Sequence, residues 1–441
     1  MLGMLGDLWS VATALVSFLV VLSVVVFVHE YGHYIVGRWC GIGAEAFSIG
    51  FGREIAGWTD RRGTRWRVGI LPLGGYVKFL GDTDASSSHV DAEALAHLTP
   101  EQRAHSFHTA PVGRRALTVA AGPVANFLLS IVIFAIVALF SGVPVNGPVI
   151  GEIGEDVSAS FREALAPGDR VLSIEGEAVE DFAALQAALM DRAGEETEAR
   201  VRRADGQEVR IAFTFRVPAR VDAVIPGGAA DEAGLEPGDV ITAVDGRPVD
   251  GFTDLRQATE ATGSGAMTLT VRRGTETFER TLTPRLADPD DPGSRPLLGI
   301  QKQSTELLPR VDPAGPLSAL TFGVSRTWQI ISLSITGIGS VIAGDQAAED
   351  VLGGPIRIAE VSGQAASQGA GTFIGLIAVL SASIGLINLF PIPILDGGHL
   401  MFYAVEKLRG APLDERWQEI GNRIGLALVL SLMVFATLND I

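Results

Sequence analysis

Long apolar runs divide the chain and predict membrane-spanning helices. They lie at about residues 9–35, 116–140, 371–389 and 424–438. A helix needs about 20 apolar residues to cross a bilayer, so the last run predicts a short span. Residues 316–343 are also apolar but are interrupted by polar residues such as Arg326, so hydropathy alone leaves open whether they cross the membrane or lie at its interface. The pattern predicts an α-helical polytopic membrane protein.

The polar region between the first two runs predicts a small β-structure. Residues 46–58 and 64–79 alternate between apolar and polar positions around a polar turn, a pattern typical of a β-hairpin. Gly50 and Gly52 would let this hairpin bend or approach another chain closely. The following polar stretch, 82–109, predicts a loop with a short helix. The many arginines between the two runs favour the cytoplasmic side of the membrane.

The region after the second run contains an internal repeat. Residues 166–176 (APGDRVLSIEG) recur as residues 236–246 (EPGDVITAVDG). Each copy reads as a turn, a strand, a second turn and a short helix. We therefore expect two tandem copies of a small β-rich module.

Composition narrows the class of protein. Of the 441 residues, 47% are hydrophobic and 19% are charged, which indicates membrane spans joined to a water-soluble insert. A net charge of −17 argues against a nucleic-acid partner. Cys40 is the single cysteine, so no intrachain disulfide can form. The first apolar run lacks a basic segment before it, which predicts a retained span and not a cleaved signal peptide.

The first apolar run ends in a pattern that predicts a zinc site. His29 and His33 are four residues apart, so a helix places both imidazoles on one face, where they can bind one metal ion. Glu30 is then placed to act as a general base toward metal-bound water. Ionisable groups at the end of an apolar span are costly to insert, which favours a functional site over a chance match.

Two histidines leave zinc short of the three protein ligands that catalytic sites use. We favour Asp396 as the third ligand because it follows the third apolar run and two prolines, with His399 as the rival. Asp396 can reach the depth of His29 only if residues 316–343 do not cross the membrane. This argument predicts four spans, with both termini and the tandem modules outside the cytoplasm. Within the second span we expect Asn126 to pack against a neighbouring helix and Gly122 to allow that neighbour close.

The order of these features resembles the site-2 protease family of intramembrane zinc metalloproteases. The features are HEYGH at 29–33, GPxxN at 122–126, the tandem modules and NxxPxPxLDG at 388–397. The resemblance implies that His29, His33 and Asp396 bind Zn²⁺ and that Glu30 is the catalytic base. It also implies a substrate-binding role for the hairpin and for the segment before Asp396, with these candidates: Gly50, Gly52, Asn388, Pro391 and Pro393.

The modules in turn resemble PDZ domains, which bind peptides by adding a strand to a sheet edge. In the second copy, residues 297–300 (LLGI) are similar to the loop that receives a peptide carboxylate, whereas the first copy has no such segment between Val209 and Arg220. The family resemblance implies single-span membrane substrates, above all an anti-sigma factor already trimmed by an upstream protease. The outer modules would then exclude untrimmed substrates by size.

We thus expect a bacterial inner-membrane protein with the site toward the cytoplasm and the PDZ-like pair outside. The predicted divisions are 1–40 for the first helix, 41–115 for the hairpin and loop, 116–141 for the second span, 145–218 and 219–303 for the modules, 304–365 for an interfacial amphipathic segment, 370–400 for the third span and 401–441 for a basic loop and the fourth span. A scaffold with a decayed site and a metal transporter remain as alternatives. A scaffold with a decayed site would have lost a metal ligand, whereas every ligand is present here. A metal transporter would need polar residues along several spans, whereas here they cluster near the cytoplasmic end.

Overall fold

The computed structural model describes residues 2–82, 99–154, 157–225, 227–249, 251–287, 294–301, 307–346 and 353–440. The chain forms two compact units. One comprises Met1–Gly142 with Pro313–Ile441, and the other comprises Val143–Asp312. Because strand Val143–Pro144 pairs with strand Val311–Asp312, the chain enters and leaves the second unit at adjacent positions.

The first unit is mainly helical, with one hairpin. Its helices are α1 (Leu2–Trp39), α2 (Pro100–Ala104), α3 (Val112–Ser141), α8 (Pro316–Ala343), α9 (Pro355–Ser367), α10 (Ala370–Asn388), α11 (Asp396–Arg409) and α12 (Glu415–Asn439). Four segments of these described helices are long and apolar enough to cross a membrane: Val11–Trp39, Val112–Ser141, Ala370–Leu389 and Arg416–Asn439. This finding fits the predicted polytopic class.

One segment differs in extent from the expectation. The basic stretch after residue 400 is mostly helical and belongs to α11 and to the start of α12, leaving only a short connection at 410–414. The polar segment 82–109 contains the short helix expected there, α2, and residues 83–98 lie outside the described part of the chain. Lys407 and Arg409 lie in the last turn of α11, where the helix dipole favours basic side chains.

The hairpin consists of β1 (Ala44–Thr59) and β2 (Arg65–Phe79) and is folded back on itself. Residues 46–49 pair with residues 75–78 on one side and with residues 65–68 on the other. Gly50 and Gly52 both have positive φ, +82° and +86°, at the point where this bend occurs. Glycine adopts that conformation without the steric cost that other residues carry, which explains the cluster of glycines that the sequence shows here.

Helix α3 is the centre of the helical unit. It packs against α1, where Gly32 lies so close to α3 that an added β-carbon would be 2.7 Å from the Ala125 side chain. It also packs against α8, where the hydroxyls of Ser130 and Thr327 are 3.0 Å apart. Small residues allow such close helix contacts in an apolar setting, where burial against lipid supplies no driving force.

The second unit contains the two predicted repeats. The first has β3 (Val143–Pro144), β4 (Ile150–Ile153), α4 (Ala159–Ala164), β5 (Arg170–Ile174), β6 (Glu177–Ala178), α5 (Phe182–Asp191), β7 (Glu196–Arg202) and β8 (Glu208–Thr214). The second has β9 (Ala223–Val224), α6 (Ala229–Glu232), β10 (Val240–Val244), β11 (Arg247–Pro248), α7 (Phe252–Thr262), β12 (Met267–Arg273), β13 (Glu276–Leu282), β14 (Arg285–Leu286), β15 (Pro296–Leu297) and β16 (Ile300–Gln301). Their sheets have equivalent strand orders, β6-β5-β7-β8 and β11-β10-β12-β13.

The first module is completed by residues that follow the second one. After β16 come β17 (Leu307–Pro309) and β18 (Val311–Asp312), and β17 pairs with β4. Leu307 is 2% exposed and belongs to the hydrophobic core of the first module. The structure therefore differs from the predicted divisions at 218 and 304: the second module is inserted into the first. The pairing of β17 with β4 could not be predicted from local sequence patterns, because the two strands lie far apart in the chain.

Each module contains the same buried turn aspartate. Asp169 and Asp239 are 2% and 0% exposed, and each accepts a hydrogen bond from the backbone N–H three residues earlier. Each is also paired with an arginine, Arg203 at 2.5 Å and Arg273 at 2.7 Å. Burial acts to raise the pKa of Asp239, but the hydrogen bonds from Arg273 and the backbone outweigh it and hold that pKa below its ordinary value.

Candidate metal centre

Three ligand atoms from two distant parts of the chain meet beside α1. His29 and His33 are each 9% exposed, and their Nε2 atoms are 3.2 Å apart. Asp396 is the first residue of α11, and its Oδ2 lies 3.1 Å from Nε2 of His29 and 3.4 Å from Nε2 of His33. The structure thus brings together the three residues that the sequence suggested as ligands.

This triangle has the dimensions of a tetrahedral zinc site. Bonds of about 2.0–2.1 Å to zinc in a tetrahedron place the ligand atoms roughly 3.3–3.4 Å from one another. Asp396 Oδ2 is buried and makes no hydrogen bond to any described group, although the Nε2 atoms of His29 and His33 lie close to it. A buried carboxylate oxygen that faces two imidazole nitrogens without such a bond is suited to a shared cation.

A sharp reversal of the chain carries Asp396 to this position. Helix α10 ends at Asn388, and α11 begins only eight residues later. In between, Ile394 has φ of +100°, a strained conformation for a β-branched residue. Gly398 lies so close to the reversed segment that an added β-carbon would be 2.6 Å from Pro393 Cα. The two prolines thus belong to a compact turn that delivers the carboxylate.

Helix α3 holds the other face of both imidazole rings. His33 Nδ1 lies 2.9 Å from the Thr118 carbonyl oxygen, to which its N–H can donate. The side-chain amide of Asn126 lies 3.4 Å from His29 Nδ1. Gly122 lies between them and faces the rings directly, since a β-carbon there would be 2.5 Å from His33 Cε1 and 2.9 Å from His29 Cε1. Asn126 and Gly122 therefore contact the imidazole rings of the metal centre, whereas the sequence predicted only that they pack against a neighbouring helix.

A cavity of about 220 Å³ opens at this triangle. Glu30 lines it, next to β2, where a β-carbon at Gly75 would come within 3.2 Å of the Glu30 side chain. The cavity is also lined by Asn388, Ile394 and residues 75–77 of β2. A carboxylate, a strand edge and an amide therefore border the same space as the three ligand atoms.

The remaining predicted residues occupy different positions. His399 lines the cavity but is not among the described groups that converge as a metal cluster. Pro391 and Pro393 are not among the described residues that line the cavity, and Pro393 packs against α12, where a β-carbon at Gly421 would be 3.5 Å from its ring. Gly50 and Gly52 form the bend of the hairpin, as described above.

Sequence reasoning missed an ion pair behind the site. Arg115 at the start of α3 lies 2.6 Å from Glu406 on α11, with both side chains only 13% exposed. The same guanidinium lies over the ring of Tyr403, 4.9 Å from its centroid. This contact ties α11, and hence Asp396, to the helix that holds the imidazoles. The two residues are 291 positions apart, and no local pattern could have linked them.

The chain is similar to known proteins over almost its full length. The sequence model of peptidase family M50 matches residues 17–432. A protein of Agrobacterium fabrum that carries the name zinc metalloprotease is 39% identical over 431 residues, which cover 97% of this chain and 95% of the relative. The regulator of sigma-E protease RseP of Escherichia coli is 34% identical over 468 residues, with 99% of each protein covered. The chain therefore belongs to peptidase family M50, the site-2 protease family, and is a zinc metallopeptidase.

Proposed function

We propose that this peptidase cleaves bonds within the transmembrane segments of single-span proteins. The observation that carries the proposal is where the site lies: His29 and His33 are on one helix that can span a membrane, Asn126 is on a second and Asn388 is on a third. A soluble substrate loop would not require a site built from such helices. Ionisable groups at membrane depth are costly and are kept mainly for function.

His29, His33 and Asp396 would hold the zinc ion, which supplies Lewis-acid chemistry and lowers the pKa of bound water to about 7. Glu30 lies in the same cavity, so its carboxylate can take a proton from the attacking water and return it to the leaving amine. His399 would line the substrate space without binding the metal. Glu30 is therefore the catalytic base in this proposal.

A helical substrate must unwind locally before it can be cut, and its freed backbone groups then need partners. Segment 75–77 borders the cavity and is bonded to β1 through one edge, so its other edge is suited to add a substrate strand. The Asn388 amide nitrogen donates to the Ile384 carbonyl at 3.1 Å, which leaves its carbonyl oxygen for a substrate N–H. The bend at Gly50 and Gly52 would set the direction of the strand edge.

The expected setting is the bacterial inner membrane, with the site toward the cytoplasm and the inserted modules outside. By analogy with the relative named regulator of sigma-E protease, the substrate class is an anti-sigma factor trimmed by an upstream protease. The modules resemble PDZ domains in sequence, and they would act as a size filter, which penalises the wrong substrate more than it attracts the right one.

Cleavage of a trimmed single-span substrate by the purified protein in liposomes tests the proposal. We expect cleavage within the span, loss of activity with a zinc chelator, and recovery with added zinc. Glu30→Gln should retain zinc and lose cleavage, whereas the exposed Glu419→Gln on α12 should match the unmodified protein. Cleavage only outside the membrane segment would contradict the proposal.

The filter has its own test, for which the structure supplies the design. Because Pro144 and Val311 are paired neighbours, a short glycine-rich turn can join them and remove the modules. The shortened protein should cleave trimmed substrate as before and should also cleave the untrimmed form. If all cleavage stops while zinc binding persists, the modules deliver substrates instead.

A further inference from the structure

Asn126 is a fully buried polar side chain for which helix packing gives no account. It is 0% exposed, and its amide lies 3.4 Å from His29 Nδ1. Its Oδ1 is buried and has no hydrogen-bond partner among the described residues. A buried acceptor without a partner has lost its bond to water and gained nothing in return, so this atom needs an explanation.

The position of His29 fixes which of its nitrogens carries a proton when metal is bound. Its Nε2 points toward His33 Nε2 and Asp396 Oδ2, so Nε2 is the ligand atom. A neutral imidazole that uses the Nε2 lone pair must carry its hydrogen on Nδ1. The Nδ1–H then faces Asn126, and of the two amide atoms only the oxygen can accept it.

We infer that Asn126 accepts the His29 Nδ1–H through Oδ1 and so orients this ligand for zinc. A half-turn of the amide exchanges its oxygen and nitrogen without changing its shape. This arrangement gives Oδ1 a partner and removes a contact between two donors, while the amide nitrogen takes the place that Oδ1 has now. Asn126 is a positioning residue, since it acts on the metal only through His29.

The two ligand histidines are then oriented in parallel ways by α3. His33 donates its Nδ1–H to the Thr118 carbonyl at 2.9 Å, and His29 donates to the side chain two turns further along. Such outer partners fix the tautomer and the ring orientation of zinc-bound histidines. Only the contact to His29 depends on a side chain, so only this one can be removed by substitution.

Asn126 is itself held in place by the helix that leads to the third ligand. The Ser381 hydroxyl of α10 donates to the main-chain carbonyl oxygen of Asn126 at 2.8 Å. Gly385, one turn later, allows close approach, since a β-carbon there would be 3.2 Å from Asn126 Cβ. The amide therefore has a fixed position relative to both histidines and to α10.

The test is zinc affinity of the full-length purified protein, measured by competition with a chelator, together with the absorption spectrum of the Co²⁺-substituted form. This readout does not involve a substrate, so it can fail independently of the proposed function. Asn126→Ala and Asn126→Leu should weaken zinc binding by about 10–100-fold, the loss typical of removing such a partner. Asn126→Asp should stay within threefold of the unmodified protein, because its carboxyl group offers an acceptor in either protonation state.

Ser130→Ala is the matched control. Ser130 lies one turn along α3, is also 0% exposed, and makes its side-chain contact with Thr327 and not with the site. It should lose one buried hydrogen bond without a change in zinc affinity. Zinc binding of Asn126→Leu within threefold of normal, or equal losses for Asn126→Asp and Asn126→Leu, would overturn the inference.

Discussion

A single methyl group at Gly122 should dismantle the metal centre. In Gly122→Ala the new β-carbon would lie 2.5 Å from His33 Cε1, and it would lie closer still to the ligand atom Nε2. Ordinary contact begins near 3.4 Å, so the ring would have to retreat by about 0.9 Å. Zinc–ligand distances tolerate about 0.2 Å, so one ligand would be lost.

Separation of the helices cannot easily absorb this displacement. At Gly32, the neighbour of His33 in the chain, α1 and α3 already touch, since an added β-carbon would be 2.7 Å from the Ala125 side chain, and separating the helices would give up this close packing. Loss of a ligand should exceed the effect of losing an outer partner, so we expect zinc affinity to fall about 100-fold or more. That factor corresponds to roughly 2.7 kcal/mol of binding free energy.

The assay is chelator competition on detergent-purified protein, with circular dichroism to verify helix content. Gly113→Ala on the same helix is the control, because a β-carbon there meets nothing within 4 Å. It should bind zinc normally and leave stability unchanged or slightly higher, by at most about 1 kcal/mol, since alanine favours helix over glycine. Normal zinc affinity in Gly122→Ala with intact helix content would refute the reasoning.

Three further predictions concern other parts of the chain. Asp396→Asn should lower zinc content in a metal analysis, while His399→Ala should not, because only the former belongs to the ligand triangle; the reverse result would make His399 the ligand. The low folded-state pKa of Asp239 implies that its stabilising effect is complete above its unfolded pKa of about 4 and is lost as pH falls through the folded value. Protection of the second module's amides against hydrogen exchange, measured relative to the intrinsic exchange rate at each pH, should therefore fall below about pH 4, and Asp239→Asn should flatten this dependence; equal pH profiles of protection would contradict it. In a Cys40→Ser background, a cysteine at Arg409 should be labelled only from the cytoplasm and one at Asp245 only from outside, and labelling of both from one side would break the four-span topology.

Much of this protein is determined by local sequence. The apolar runs predict spanning helices because each helix satisfies its own backbone hydrogen bonds, so length and hydropathy suffice. The spacing of His29 and His33 predicts a shared face because four residues are close to one helical turn. The repeated Pro-Gly-Asp turns mark two modules because the same buried aspartate closes each of them.

Tertiary structure decided what depends on contacts between distant segments. The pairing of β17 with β4 inserts one module into the other, although residues 154–306 separate these strands. The amide of Asn126 faces His29 only because α1 and α3 cross at Gly32 and Gly122. Pattern alone ranked Asn126 as a packing residue, since an asparagine in a span looks the same whether it bonds a helix or a ligand. Which of these roles it has depends on the neighbour at its side-chain amide, and a neighbour 97 positions away in the chain is fixed only by the fold.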